Sequence, residues 1–595
     1  MIHRPRAASH PALLIAAIAC TCSILASPAS AGAAGVTISP LPGTPTAEPQ
    51  TQISFRGAGA SSLSAISVVG SSSRRHRGRL RSYASAVGAS FRPSKPFSPG
   101  EHVTVHARWH PSHGHTRRLS TAFTIATPAS IPLSGFPSTP GTPADVQSFL
   151  SQPSLHPPVL TVRQAAGASS APGLLFTGPF FGPGQYGPTI YDNAGRLVWF
   201  RPVPAGDDAA DFRTQTYRGK PVLTWWQGRT VNFGYGLGEG VIASSSYKTI
   251  ARVKTGNGLQ ADEHEFKLTP QGSAYIMAYN PVQSSLAGVG GPANGIVLDC
   301  VIQEIDIATG LVMWEWHSLG RVDLSESYSK PPGLATNAFD YFHINSLTTD
   351  SRGNLLISAR NTWALYQLNP RSGAILWRLG GKKSTFTLAP GVQFAYQHNA
   401  LWLPNGEISL FDDEGAPPVK PPARGEVIKL DFTAKTATLG AQFVRTPGLL
   451  SFCCGSAQPL PGGTWMVGWG GLPNLTEFNA QGQMIFDAQL PRGETTYRVY
   501  REPWSAQPSE APAIAARTSG GTTAVYASWN GATDVASWQL LSGTTAAHLS
   551  PVSRTPKSGF ETVIPASPAG FYEVRALSGS GSVLASSKVV APSAG

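Results

Sequence analysis

The middle of the chain consists of two kinds of β-hairpin that alternate, and this repeat constrains the fold more than any other feature. The first kind, the outer hairpin, joins two alternating strands through a turn rich in Asp, Asn and Gly, and its second strand often contains Trp. Its copies are TIYDNAGRLVWF from Thr189, EIDIATGLVMWEW from Glu304, YQLNPRSGAILWRL from Tyr366, KLDFTAKTATLGAQF from Lys429, TEFNAQGQMIFDAQL from Thr476 and a weaker copy from Val241.

The second kind, the inner hairpin, precedes most of the outer ones. Its copies begin at Asp211, His264, His343, His398 and Cys454. Two hairpins make a four-stranded sheet, and six such units predict a six-bladed β-propeller over residues 165–505. A stack of separate sandwich domains is the alternative, and it is disfavoured because one sheet of this kind cannot bury both of its faces alone.

The first of the six units lacks an inner strand of its own kind. Only GLLFTGPF, from Gly173, precedes the outer hairpin at Thr189. We expect TTYRVYREPW, from Thr495, to supply the missing strand. Pairing the two ends of the propeller in this way would close the ring and remove exposed sheet edges.

The flanking segments also read as β-structure, so the whole chain is predicted to be all-β. Short strands separated by Ser, Gly and Pro predict an N-terminal Ig/fibronectin-like β-sandwich at 32–128 and a C-terminal one at 508–595. Residues 129–164 form a Pro-rich linker. The 63 Gly and 51 Pro supply many turns, while 41% hydrophobic residues is too many for a disordered chain.

The N-terminus has the features of a secretory signal peptide at residues 1–31. Arg4 and Arg6 precede an apolar run over residues 12–26, and Ala29-Ser30-Ala31 fits the small-residue pattern of a cleavage site. The apolar run is too short for a comfortable membrane span. We therefore expect a secreted protein, extracellular or periplasmic.

The net charge of +12 is concentrated near the N-terminus. Residues 32–160 contain eleven Lys or Arg against three acidic residues. This basic segment is expected to contact an anionic cell envelope and gives no support to nucleic-acid binding by the propeller. No GxxxxGK[ST] loop is present in the sequence, so a nucleotide phosphate cradle is unsupported.

Three of the five inner hairpins begin with histidine, at His264, His343 and His398. The first residues of the innermost strands lie at one mouth of a propeller's channel, so these imidazoles are expected to converge. Arg360 lies seven residues after the turn glycine of the hairpin that begins at His343, and it should reach the same channel. A salt bridge between Arg360 and a neighbouring carboxylate, Asp412 or Asp413, is the alternative.

Three imidazoles and one guanidinium suit a tetrahedral oxyanion. Arginine presents a fixed fork of donors to two oxygens. A neutral imidazole is a nucleophile, and further imidazoles can donate hydrogen bonds. Three histidines could also hold zinc, but a guanidinium beside a metal ion adds repulsion, so we expect no metal and no cofactor.

At these residues the sequence resembles the arylsulfate sulfotransferase family of exported six-bladed propellers. The resemblance is carried by DEHEF around His264, DYFHINSL around His343, SARN around Arg360 and YQHNALWLPNG around His398. The family moves a sulfuryl group from a phenolic sulfate ester to another phenol, without a nucleotide sulfate donor. The resemblance implies that His398 is the nucleophile that becomes transiently sulfated, while the other two histidines and Arg360 bind the sulfuryl oxygens.

The same resemblance implies the substrates and their contacts. The partners would be a small phenolic sulfate donor and a phenolic acceptor, served in turn by one site in ping-pong kinetics. Asn345, in the His-x-Asn of DYFHINSL, is a further candidate for the sulfuryl oxygens. Tyr279 and Trp469 are candidates for holding phenolic rings, although such residues are more often core.

Two other classes of function remain open at this stage. The outer hairpins also resemble the Trp-containing repeats of quinoprotein dehydrogenases, although those enzymes usually have eight blades and calcium-binding acidic residues. Adjacent Cys453 and Cys454 would form a vicinal disulfide like that of some quinoproteins, or are small buried hydrophobes. A secreted, non-catalytic propeller that binds a partner or glycan would tolerate replacement of the channel histidines and arginine.

Overall fold

The computed structural model describes residues 35–594, and nearly all of its regular structure is β-strand. The predicted all-β class is confirmed. The predicted signal peptide at 1–31 lies outside the described residues. The helical elements among residues 35–594 are six short 3₁₀ turns at Ala60–Ser62, Pro143–Asp145, Ala287–Val289, Leu324–Glu326, Arg360–Thr362 and Pro461–Gly463.

Six antiparallel sheets, numbered here 1 to 6, follow one another in the middle of the chain. Sheets 1 to 3 consist of Leu174–Thr177, Thr189–Tyr191, Leu197–Phe200 and Tyr500–Glu502; of Asp208–Tyr217, Lys220–Val231, Tyr235–Ala243 and Thr249–Val253; and of Phe266–Leu268, Ser273–Ser284, Gly295–Asp306 and Val312–His317. Sheets 4 to 6 consist of Ile344–Thr349, Leu355–Ala359, Ala364–Leu368 and Ile375–Gly380; of His398–Trp402, Ile408–Asp412, Arg424–Asp431 and Thr436–Phe443; and of Ser456–Pro459, Trp465–Gly468, Asn474–Phe478 and Met484–Gln489.

The strands of sheets 2 to 6 pair in chain order, so each sheet is an inner hairpin followed by an outer hairpin, as the repeat predicts. Sheet 1 differs in the predicted way. Its strand Leu174–Thr177 pairs with Tyr500–Glu502, with Leu175 opposite Arg501. The end of the repeat region therefore completes the sheet in which that region begins.

Short strands extend some of these sheets. Thr161–Gln164 adds to the outer edge of sheet 6, Thr387–Leu388 to that of sheet 5, and Ala338–Phe339 pairs in parallel with Gly295–Asp306 of sheet 3. A separate two-stranded sheet joins Pro179–Phe180 to Thr495–Thr496. Pro179–Phe180 directly follows the strand Leu174–Thr177, and Thr495–Thr496 directly precedes the strand Tyr500–Glu502. This pairing therefore extends the contact between the two ends of the repeat region beyond sheet 1.

Each of the six sheets packs against the next along the chain, and sheet 6 packs against sheet 1. Apolar clusters with members from both sheets fill these interfaces, in the order 1–2 to 6–1: Trp199 and Trp225, Ile242 and Phe266, Trp316 and Tyr366, Leu365 and Ile408, Phe411 and Trp469, Phe486 and Leu175. These side chains are almost fully buried. Burying one large apolar side chain stabilises a fold by about 1.5–3 kcal/mol, so these interfaces hold the six sheets together.

Four-stranded sheets also form both flanks, antiparallel except where Ser593–Ala594 pairs in parallel with Ala513–Ser519. The N-terminal pair consists of Thr37–Ser39, Ile53–Arg56, Gly88–Pro93 and Gly78–Ser82, and of Arg74–Arg75, Leu63–Gly70, His102–Trp109 and Arg117–Thr124. The C-terminal pair consists of Ala513–Ser519, Thr522–Ser528, Glu561–Ala566 and Ser593–Ala594, and of Ser537–Thr545, His548–Pro556, Phe571–Leu577 and Val583–Ser586. Each pair encloses its own apolar core.

Both flanks are hydrogen-bonded to the central sheets. The Ser90 hydroxyl donates to the Val312 carbonyl of sheet 3 at 2.8 Å. On the other flank, the Asn530 amide donates to the Phe200 carbonyl of sheet 1 at 2.8 Å and accepts from the Phe200 N–H at 3.0 Å. Within residues 35–594 no helix has the length and apolarity that a membrane crossing requires.

Candidate active site

The three histidines that begin the inner hairpins of sheets 3, 4 and 5 come together. The ring centroid of His264 lies 5.0 Å from that of His343 and 6.4 Å from that of His398. All three side chains are buried. The expected convergence is therefore present in the fold, although 134 residues separate the first histidine from the last.

Irregular backbone carries two of these histidines. His343 has φ 56°, and the pairing of its strand shifts register between Ile344 and Ser346. Asn399, directly after His398, has φ 50°, at a similar shift between His398 and Leu401. Left-handed backbone costs a non-glycine residue about 1–3 kcal/mol, and β-bulges re-aim side chains beside active sites. The irregular pairing thus gives the side chains of His343 and His398 directions that a regular strand would not give them.

A carboxylate holds the Nδ1 atom of each histidine. The pairs and their N–O distances are His264–Asp262 at 2.7 Å, His343–Asp340 at 2.5 Å and His398–Asp413 at 2.7 Å. Such a bond fixes the orientation of the ring and leaves Nε2 for a ligand or substrate. Sequence reasoning missed these three orienting carboxylates, although the first two lie within the DEHEF and DYFHINSL motifs.

Hydrogen bonding and burial set the tautomer and the charge of His398. Its Nε2 accepts the backbone N–H of Cys454 at 3.3 Å, so Nε2 carries a lone pair rather than a proton. Burial lowers the pKa of His398 well below its ordinary value of 6.5, and the nearby positive charges of His264 and Arg360 lower it further. The ring is therefore neutral near pH 7.

Arg360 lies beside the histidines and keeps much of its donor capacity. It donates to the side-chain oxygen of Asn361 at 2.9 Å and to the carbonyl of Phe452 at 3.1 Å. Among residues 35–594 it forms no ion pair, because Asp412 is bonded instead to Arg424, at 3.2 Å. The salt-bridge alternative is thus not what the structure shows, and the guanidinium remains available to an anion.

Two tyrosine rings complete the walls around the histidines. Tyr279, a predicted site residue, lies 5.4 Å from His343 and 5.7 Å from His264 between ring centroids. Tyr497 lies 5.4 Å from His264 and 6.3 Å from His398. Burial raises the pKa of both phenols well above 10, so they stay protonated. Tyr497 was missed because it belongs to the segment that completes sheet 1 rather than to a histidine motif.

Asn345 braces the site. Its amide donates to the carbonyl of Gln397 at 2.7 Å, which ties the strand after His343 to the residue before His398. Its own backbone carbonyl accepts the Tyr497 hydroxyl at 2.8 Å. These contacts make it a positioning residue, whereas the sequence suggested contact with the substrate.

Trp469, which was predicted to hold a phenolic ring, does not lie at the histidines. Its side chain is fully buried, its indole N–H donates to the Thr476 hydroxyl at 3.0 Å, and its ring packs edge-on against Phe411 at 5.7 Å. The strand Trp465–Gly468 ends just before it, and the indole turns into the interface between sheets 5 and 6. The structure therefore does not bring Trp469 to the histidines, because it serves the packing of two sheets.

A fully buried arginine, Arg498, connects three of the inner hairpins beside the site through hydrogen bonds. Its guanidinium donates to the Asp211 carboxylate at 2.9 Å, to the His264 carbonyl at 3.0 Å, to the Glu265 carboxylate at 3.1 Å and to the Asn345 carbonyl at 3.0 Å. These acceptors lie at the beginnings of the inner hairpins of sheets 2, 3 and 4. Arg498 thus fixes the relative positions of the strands that carry His264 and His343.

The two adjacent cysteines lie beside the nucleophile candidate. Cys453 and Cys454 are partly buried free thiols with sulfur atoms 2.8 Å apart. Cys454 has φ 68°, a conformation that presents its backbone N–H to His398. The contribution of Cys454 to the site is therefore a backbone donor.

One cluster of metal-ligating residues is found within residues 35–594. Ligand atoms of Asp262, Glu263 and His264 lie within 4.8 Å of one another. Burial, together with the neighbouring Asp262, raises the pKa of Glu263 well above 4.5, which favours its protonated, non-ligating form.

Comparison with known proteins gives one family and distant structural likenesses. Residues 213–490, which include the three histidines and Arg360, match the family model described as arylsulfotransferase (ASST). No curated protein matches the chain. A protein of unknown function from Bacteroides caccae is 12% identical over 55% of this chain and 98% of its own, with a TM-score of 0.35. A virginiamycin B lyase from Staphylococcus aureus is 10% identical over 62% and 95%, with a TM-score of 0.30.

Proposed function

We propose a reaction for this chain, which belongs to the arylsulfotransferase family. The chain moves a sulfuryl group from a phenolic sulfate ester to a phenolic acceptor, and His398 is sulfated in between. One observation carries the proposal. A neutral, carboxylate-held imidazole lies beside two further histidines and an arginine that has no carboxylate partner among residues 35–594. This is the set of groups that the transfer of an anionic, tetrahedral group requires.

The proposal includes a six-bladed propeller with Ig/fibronectin-like sandwiches on both sides. The packing of each sheet on the next, and of sheet 6 on sheet 1, supports a closed ring of six blades. The pairing of Leu174–Thr177 with Tyr500–Glu502 supports closure by the two ends of the repeat region. The two four-stranded sheets on each flank support the sandwich assignment.

In the first half-reaction, the Nε2 lone pair of His398 exchanges its hydrogen bond from the Cys454 N–H for attack on the sulfur atom of the donor. The new N–S bond forms as the bond from sulfur to the aryl oxygen breaks, and that electron pair leaves with a phenoxide, which takes a proton from water. The sulfated ring gains positive charge, which the Asp413 carboxylate at Nδ1 stabilises. In the second half-reaction a phenol loses its proton to water, and its oxygen takes the sulfuryl group and restores His398.

Electrostatics and positioning supply most of the catalysis, because sulfuryl transfer, like phosphoryl transfer, is expected to have a loose transition state. The Arg360 fork donates to the non-bridging oxygens of the sulfuryl group. His264 and His343 bind the remaining sulfuryl oxygens, while Asp262 and Asp340 hold their rings at Nδ1.

Export and envelope contact are parts of the same proposal. The signal-like sequence at 1–31 supports secretion. The side chains of Arg74, Arg75, Arg77 and Arg79, on two short N-terminal strands and the link between them, are exposed, which supports contact with an anionic envelope. The substrates are small phenolic molecules, and nucleic acid is not expected to bind.

Incubation with para-nitrophenyl sulfate and phenol tests the function directly. We expect phenyl sulfate to accumulate in step with the release of para-nitrophenol, and double-reciprocal plots to give the parallel lines of a ping-pong mechanism. An enzyme that only hydrolyses the donor would release para-nitrophenol without forming phenyl sulfate. Failure to sulfate any acceptor from a broad panel of aryl sulfates would contradict the proposal.

The acid limb of the pH profile is expected to lie at an unusually low pH. Protonation of Nε2 abolishes the nucleophile, and this occurs only below the pKa of His398, which burial and positive neighbours hold well below 6.5. Accordingly, kcat/KM for the donor should remain on its plateau as the pH falls through 6.5. Arg360→Gln should move the limb to higher pH, because it removes a positive charge that lowers this pKa.

The matched control for the pH experiment is Arg371→Gln, an exposed arginine in a turn of sheet 4. Its profile should coincide with that of the wild type. A wild-type limb centred at or above 6.5 would mean that His398 is not the neutral nucleophile.

A further inference from the structure

A concavity lies where sheets 4 and 5 meet, and Trp363, three residues after Arg360, is part of its lining. Its volume is about 340 Å³, within the usual range for a small-molecule pocket. Aromatic side chains of Tyr328, Trp363 and Phe394 line it, together with glycine, proline and Lys420. None of the described residues that line it is a carboxylate.

A series of aromatic rings connects this pocket to Arg360. The Arg360 guanidinium carbon lies 4.7 Å from the centroid of Tyr396, two residues before His398. Tyr396 meets Trp363 edge-on at 5.3 Å, and Trp363 stacks on Tyr328 at 3.7 Å with an interplanar angle of 9°. Packed aromatic side chains therefore link the wall of this pocket to Arg360.

The backbone holds two of these rings in conformations that bulky residues seldom adopt. Trp363 has φ 48° and Tyr396 has φ 58°. The Trp363 N–H donates to the Arg360 carbonyl at 3.3 Å, which closes the short turn Arg360–Thr362. Rare backbone conformations of this kind persist where the surroundings demand them and are concentrated at ligand sites. The position of Trp363 is thus tied to that of Arg360.

Two lysines lie at the outer end of the pocket. The Lys382 ammonium lies 4.9 Å from the centroid of Tyr328, and its hydrogen bonds go to backbone carbonyls of Ser325 and Ser327. Lys420 is exposed at the rim. An occupant of this pocket would meet flat aromatic surface and positive charge, which together suit an aromatic anion.

We propose that this pocket is a specificity subsite for the far end of an extended aromatic substrate that carries a second negative charge. The inference rests on the proposed sulfuryl transfer and names its substrate class. The phenolic oxygen of such an acceptor lies at His398, and its distal ring stacks in the pocket. Because Tyr396 and Trp363 separate Arg360 from Tyr328, a molecule that touches both ends has to be longer than one ring.

Acceptor kinetics of Tyr328→Ala test the subsite. The Tyr328 side chain is 40% exposed, so its removal should leave the fold intact. With para-nitrophenyl sulfate as donor, the ratio of KM for a hydroxynaphthalene sulfonate to KM for phenol should rise about three- to tenfold. Phe432→Ala, which removes a 54% exposed aromatic side chain elsewhere on sheet 5, is the control and should leave the ratio unchanged. An unchanged ratio in Tyr328→Ala would overturn the proposal.

The Lys420→Glu substitution separates the contribution of charge to acceptor binding from the contribution of ring stacking. It should raise KM for the hydroxynaphthalene sulfonate more than KM for uncharged naphthol, because repulsion acts only on the sulfonate. Equal effects on the two acceptors would contradict an anion-selecting rim.

Equilibrium binding of naphthalene sulfonate, which has no hydroxyl group to sulfate, tests the pocket without any turnover. Calorimetry should show binding to wild type and to Phe432→Ala, and binding weakened about three- to tenfold in Tyr328→Ala. Binding with this pattern in a protein that transfers no sulfuryl group would support the subsite while the proposed function fails. Equal binding by all three proteins, or none, would overturn the subsite even in an active transferase.

Discussion

Replacing His398 with asparagine is expected to lower kcat for sulfuryl transfer by at least about a thousandfold while the protein stays folded. The asparagine amide can still donate to Asp413, but nothing remains at the position of Nε2 to attack sulfur. Initial rates with para-nitrophenyl sulfate and phenol give the activity, and thermal unfolding followed by circular dichroism reports the fold.

His548→Asn is the control for this substitution, because His548 is exposed on the C-terminal flank. It should keep wild-type kinetics and the same melting temperature. Near-wild-type turnover in a folded His398→Asn protein would mean that another group carries the sulfuryl.

Asp413→Asn is expected to lower kcat about 10²- to 10⁴-fold, with a smaller change in KM, because Asp413 acts through His398 and does not touch the substrate. The carboxylate accepts the proton of Nδ1 and so leaves the lone pair on Nε2. An amide that donates to Nδ1 instead moves the ring proton to Nε2, where it blocks attack. Steady-state kinetics over a range of donor concentrations separate kcat from KM.

Asp431→Asn, in an exposed turn of the same sheet, is the matched control and should behave as wild type. Asp413→Glu should recover part of the lost kcat, because it restores a carboxylate at a longer reach. A loss in Asp413→Asn no greater than in Asp431→Asn would show that the imidazole needs no carboxylate to orient it.

Much of the central architecture could be predicted from the sequence, because it follows from local patterns. Alternating strands and Asp-, Asn- and Gly-rich turns define the hairpins. The missing inner strand of the first unit predicts that the segment from Thr495 completes that unit, and Tyr500–Glu502 does pair with Leu174–Thr177. The convergence of His264, His343 and His398 follows from their common place at the start of an inner hairpin. These predictions depend on periodicity and register, which a single sequence records.

The finer features of the site depend on side-chain placement, which those patterns do not record. Aligned positions on the second inner strand hold Tyr279, Arg360, Asp413 and Trp469, yet the first three border the histidines and Trp469 packs between sheets. A positive φ at a residue such as His343 has no sequence signal when the residue is not glycine. Arg498 reaches the site only because the last segment of the repeat region returns to the first sheet.

In the proposed mechanism, His398 carries the sulfuryl group between donor and acceptor. The most direct measurement incubates the protein with para-nitrophenyl sulfate in the absence of acceptor, quenches it in alkali and locates the modification by peptide mass spectrometry. We expect one added sulfuryl group on His398, which is lost when phenol is added, with phenyl sulfate formed in equal amount. A sulfuryl group on another residue, or an unmodified protein that still transfers sulfate, would contradict it.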